Sequence, residues 1–101
     1  MKNPFESLDK LLEHSLRLQI MSVLAVNDTF DYKALRELLD TTDGNLATHI
    51  KALEREKYVS VTKGFIDRKP NTRYRITDKG RHALKKHIEA MAEVVRAQQR
   101  K

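Results

Sequence analysis

Apolar residues recur along this chain mostly at three- and four-residue spacing, and the interval shortens to two in one stretch only. Leu8, Leu11 and Leu12 follow a Pro4-Phe5 start, and a break is expected near His14. Ser15 can then cap a helix in which Leu16, Ile20, Val23 and Leu24 fall on one side. Asn27-Asp28 predicts a turn, Phe30 a one-residue strand, and Asp31 the N-cap of a short helix that buries Leu35, Leu38 and Leu39 and stops near Asp40. Thr41-Thr42-Asp43-Gly44 reads as a turn whose Thr or Asp caps a helix over 43–56, with Leu46, Ile50 and Leu53 as its buried stripe. From Tyr58 the period becomes two. Tyr58–Thr62 and Arg73–Thr77 read as paired strands, joined by a long basic tip of about nine residues, Lys63 to Asn71, that Pro70 stiffens. Thr77-Asp78 opens a last helix, predicted over 78–98, with Leu84, Ile88, Met91 and Val95 along one face.

Two short helices joined by about four residues, followed by a basic hairpin and a long helix, have the order of a winged helix-turn-helix. The expected fold class is mainly α with a small β-hairpin (α+β), and the long C-terminal helix is expected to serve dimerisation. At 101 residues and 40% hydrophobic content, one core and one domain spanning 1–101 are expected. No apolar run approaches the roughly 20 residues of a membrane span. The absence of cysteine removes disulfides and thiolate metal sites. A soluble, unprocessed, cytoplasmic protein with no membrane partner is the expectation.

Charge sharpens the picture because it is unevenly placed. The net +6 divides into −2 over residues 1–41, +4 over 42–77 and +4 over 78–101. A basic second half that coincides with the helix-turn-helix and its hairpin points to a polyanion, and in this fold to double-stranded DNA. The major groove admits one helix and displays distinguishable base edges. Placing residues at about 100° per position around the apolar stripe sets Gly44, Thr48, Lys51 and Arg55 on the far side of the second helix, flanked by Asn45 and Ala52. Asn45 and Thr48 are the candidate base readers, since an amide donates and accepts together and a hydroxyl does either. Gly44 permits close approach, Thr42 stands at the helix start, and Lys51 and Arg55 suit phosphates. Lys63, Arg68, Lys69 and Arg73 on or beside the hairpin suit the minor groove or the backbone.

The stretch from Phe30 to Gly80 resembles the winged-helix DNA-binding domains of compact MarR/ArsR-like regulators. The matching strings are GNLATHIKALEREKYV, DRKPNTRY and ITDKG, and about residues 15–95 are covered. Asp67-Arg68 resembles the family's Asp-x-Arg wing signature, with Arg directly after Asp, and His49 matches a His common at that position of ArsR-like recognition helices. The resemblance implies transcriptional regulation, usually repression, by homodimers on palindromic operators.

The last helix carries more apolar surface than three short helices and a hairpin can cover. Its Leu84, Ile88, Met91 and Val95, together with Leu8, Leu11 and Leu12 of segment 5–14, are the candidate dimer interface. A two-fold dimer sets its recognition helices roughly 34 Å apart. His14, His82 and His87 offer no i,i+4 ligand pair, so no metal and no cofactor is expected. No phosphate loop or nucleophile motif is present, so an enzyme is not expected. Nothing in the sequence specifies a small-molecule effector. The alternative reading is a winged helix used as a protein-interaction or RNA-binding module of a larger transcription or replication assembly.

Overall fold

The computed structural model describes residues 3–100; Met1, Lys2 and Lys101, the ends of the predicted domain, lie outside the described residues. Two single-turn 3-10 helices, Pro4–Ser7 and Lys10–Glu13, lead into α1 (Ser15–Ala25). The break at His14 is present, and His14 rather than Ser15 caps α1: its Nδ1 accepts from the Leu16 N–H at 3.2 Å. Then follow β1 (Phe30–Asp31), α2 (Tyr32–Leu38), α3 (Asp43–Arg55), β2 (Val59–Ile66), β3 (Lys69–Ile76) and α4 (Asp78–Gln99). No described helix is long and apolar enough to cross a membrane.

The predicted caps hold the starts of α2, α3 and α4. Asp31 accepts from Ala34 N, Thr42 from Asn45 N and Thr77 from Gly80 N, each satisfying an N–H that the first turn leaves open. At the ends of α2 and α3 the chain reverses through Asp40 (φ 48°) and Lys57 (φ 63°), and the next N–H reaches back five residues, Thr41 to Arg36 O and Tyr58 to Leu53 O. These are left-handed helix stops made without glycine.

The sheet runs β1-β3-β2, all antiparallel, with Phe30 opposite Tyr74 and Val59 opposite Ile76. The long tip predicted for the hairpin is not there. The strands continue to Ile66 opposite Lys69, and the turn is the two residues Asp67 and Arg68, with φ 50° and 67°. Both central residues with positive φ make the tight turn whose twist suits a two-residue hairpin. Pro70 sits within β3 opposite Phe65, one position from the closing pair, where the alternation of the ladder does not ask for its missing N–H.

The core gathers Leu12, Ile20, Met21, Leu24, Leu35, Leu46, Ile50, Leu53, Val59, Ile76 and Leu84. The α3 stripe is buried as predicted. Leu38 is exposed instead of buried, because α2 ends there and only Leu35 and, in part, Leu39 reach the core. In α4 the packed side is Gly80, Leu84, His87 and Ala90, which shares only Leu84 with the apolar stripe that sequence spacing picks out. Gly80 is required by contact: a Cβ there would stand 2.1 Å from the Tyr58 carbonyl oxygen, which already accepts from Thr77 N. His87 is buried with its Nδ1 accepting from Asp9 N at 2.9 Å, so it anchors the N-terminal segment on α4.

Candidate nucleic-acid interface

α2 and α3 are held at a fixed angle by contacts that converge on the start of α3. Tyr32 Oη donates to the Asp43 carbonyl at 3.2 Å, and the Arg36 guanidinium donates to Asp43 Oδ1 at 2.7 Å. Arg36 beside it holds the Asp43 carboxyl below its ordinary range. The acid that would otherwise face a polyanion at this helix start is thereby paired. Sequence reasoning missed Tyr32 and Arg36; their i,i+4 spacing on α2, toward the turn, is the signal that points to them.

Beyond that brace, α3 presents an exposed ridge of Gly44, Asn45, Thr48, Lys51 and Arg55. Nothing lies within 4 Å of a Cβ at Gly44, so the backbone there is open. Thr42 is exposed at the head of the ridge with its hydroxyl oxygen accepting from Asn45 N at 3.2 Å. Among the described residues the ion pairs are Arg36–Asp43, Lys79–Glu56, Arg96–Glu93 and Arg100–Glu93. Lys51 and Arg55 are therefore unpaired in the described structure, as are Lys63, Arg68 and Lys69 on the hairpin. Val61, Lys63 and Tyr74 share a groove with Ala47, Ile50, Lys51 and Glu54, which sets the hairpin and the ridge on one side of the molecule. Glu54, half-buried, is the one acid in that groove.

Two predicted contacts are placed elsewhere. His49 leaves the ridge and packs on α1, where its Nδ1 accepts from Arg17 Nε–H at 3.0 Å and its ring lies 4.0 Å from that of His14. Burial, and then the neighbouring His14 and Arg17, hold its pKa below the ordinary histidine value. Arg73 lies at the base of the sheet, half-buried beside β1, with Nε–H donating to Thr29 Oγ1 at 3.0 Å. With the tip reduced to two residues, Arg73 is too far down β3 to be part of it.

The candidate interface between copies also divides. Leu12 and Leu84 are buried in the protomer's own core, so neither has surface to offer; Leu8 and Leu11 are half-buried. Ile88, Met91 and Val95 stay 48%, 40% and 57% exposed on α4, and Phe5, which the sequence reading left out, is 58% exposed on the 3-10 segment beside it. Among the described residues no cluster of three or more His, Asp or Glu side chains could hold a metal ion.

The model of the winged helix DNA-binding domain family matches residues 16–95, from α1 through most of α4. An uncharacterised protein of Methanocaldococcus jannaschii is 35% identical over 79 residues, covering 78% of this chain and 86% of that protein. The solved structure of a transcriptional regulator homologue from Pyrococcus horikoshii is 33% identical, covers 87% of each chain and superposes with a TM-score of 0.82. The Staphylococcus aureus MepR–DNA complex, 15% identical, covers 90% of this chain and 77% of its own with a TM-score of 0.71, and shares the fold. The expected winged-helix fold is borne out, and the family that the chain matches is that of winged helix DNA-binding domains.

Proposed function

The chain belongs to the winged helix DNA-binding domain family, and on that premise we propose that it is a sequence-specific transcriptional regulator that binds a palindromic operator as a homodimer in the cytoplasm. α3 enters the major groove. Asn45 and Thr48 read base edges, Gly44 lets the backbone come close, and Thr42, Lys51 and Arg55 meet phosphates and fix the register. Lys63, Arg68 and Lys69 on the wing meet the minor groove or the flanking backbone. Occupancy of the operator then represses by excluding other proteins from it.

The observation that carries this reading is the ridge of exposed polar and basic side chains on α3, unpaired among the described residues and continued by Lys63 of the wing on the same side. The Pyrococcus protein's description as a transcriptional regulator homologue and the DNA-bound state of MepR support it. The exposed stripe of Ile88, Met91 and Val95 supports the dimer.

Selection of bound sequences from a random duplex pool at about 0.15 M salt tests it, since nonspecific counterion-driven binding is already weakened there. A palindrome with half-sites about one helical turn apart is expected. Asn45→Ala and Thr48→Ala should relax preference at particular positions at about 1–3 kcal/mol each. Absence of any enriched motif from folded protein sinks the proposal in favour of a protein-interaction or RNA-binding module.

A further inference from the structure

The wing carries an aromatic side chain that its own fold does not use. Phe65 is 75% exposed, one residue from the turn at the end of β2, and directly across from it lies Pro70. Strand alternation puts Val61, Lys63 and Phe65 on one face, and the first two of these line the groove shared with α3. Phe65 therefore continues, about 20 Å beyond the core-bound Val59, the same face that the recognition ridge occupies. Lys63, Arg68 and Lys69 stand within four positions of it, all exposed. An aromatic ring with Lys63 on its own face and the Arg68 turn beside it, on the side that faces the polyanion, suits the minor groove, where apolar side chains enter between base steps and unstack them while flanking basic groups hold the phosphates.

We propose that Phe65 is an apolar wedge for the minor groove of duplex DNA, bending the site where the wing lands and adding a preference for deformable base steps. The proposal rests on the regulator reading and deepens it: the wing reads deformability as well as charge. Ile66 serves as the comparison, because it points with Lys69 to the opposite face of the hairpin.

The test uses the full chain on its selected duplex, with 2-aminopurine placed in turn at each minor-groove step flanking the half-site, and fluorescence, affinity and salt dependence measured together. The wild type is expected to raise fluorescence at one step by unstacking it. Phe65→Ala should abolish that rise and weaken binding by about tenfold while leaving the salt slope unchanged, because no cation is lost. Arg68→Ala should instead lower the slope by about one. Ile66→Ala should behave as the wild type. Equal melting temperatures would show that all three variants fold, as expected for exposed positions. If Phe65→Ala binds and perturbs the duplex as the wild type does while Arg68→Ala weakens binding, the wedge is overturned and the exposed ring belongs to a protein contact. If the wild type selects no duplex, the regulator reading fails and the wedge fails with it.

Discussion

A single hydrogen decides the position of α4. Alanine at position 80 would gain about 1 kcal/mol of helix propensity over glycine, but its Cβ would stand 2.1 Å from the Tyr58 carbonyl oxygen, a backbone atom that Thr77 N already holds. The clash wins. Gly80→Ala is expected to destabilise by about 1–3 kcal/mol, a drop in Tm of more than about 5 °C, and a Tm at or above the wild-type value would refute the close approach. His49 makes a second residue-scale prediction. Its folded pKa lies below the ordinary value of about 6.5, from burial first and then from His14 and Arg17 facing it. Below that ordinary value the unfolded chain takes up a proton that the folded chain resists, so the stability His49 contributes is full above about pH 6.5 and is lost as pH falls through the lower folded value. Urea midpoints should therefore decline between pH 7.5 and 5.5, and His49→Gln, which can still accept from Arg17, should flatten that decline. An unchanged slope in the variant would remove His49 as the source. Neither role was legible in the sequence: Gly80 stood out only as part of ITDKG, and the partner that turns His49 inward is 32 residues away.

At the scale of elements, what could be read was whatever a period or a cap announces. Leu46, Ile50 and Leu53 set the buried side of α3, and Asp31, Thr42 and Thr77 its neighbours' starts and its own, because a stripe and a capping side chain are local features. The wing was misjudged because its turn is built from Asp67 and Arg68, which carry no glycine or asparagine signal, and because Pro70 looks like a loop residue until its register is known. In α4 spacing selected Leu84, Ile88, Met91 and Val95, whereas packing uses Gly80, Leu84, His87 and Ala90; a small residue and a histidine satisfied by Asp9 N do not look apolar. The turn yields its own prediction. Left-handed backbone at Arg68 costs roughly 1 kcal/mol that glycine does not pay, so replacing Asp67-Arg68 by Asn-Gly should raise Tm by a few degrees while weakening DNA binding through the lost cation. Stability and binding moving in the same direction would mean that the hairpin does not close as described.

The whole molecule is elongated, 60 × 25 × 21 Å, because α4 runs about 33 Å and only its first half is covered by the core. The cover on its second half comes from the short N-terminal 3-10 segment, packed beside Lys86, Glu89, Ala90 and Glu93, which leaves Ile88, Met91 and Val95 exposed on another side. Spacing of three and four residues makes these a continuous stripe, and Glu93, on another side of the helix, is paired with Arg96 and Arg100. A second copy that brought the same stripe would close a two-fold contact, the symmetry that a palindromic site matches. Met91→Glu with Val95→Glu is therefore expected to halve the mass measured by sedimentation at micromolar concentration without lowering Tm below that of a folded protomer, since both side chains are exposed. The same variant should keep weak binding to a single half-site and lose the steep dependence on the second one. A wild type that sediments as a monomer would remove the dimer and with it the reason for a palindrome, while the ridge on α3 would still stand as a surface for a single half-site.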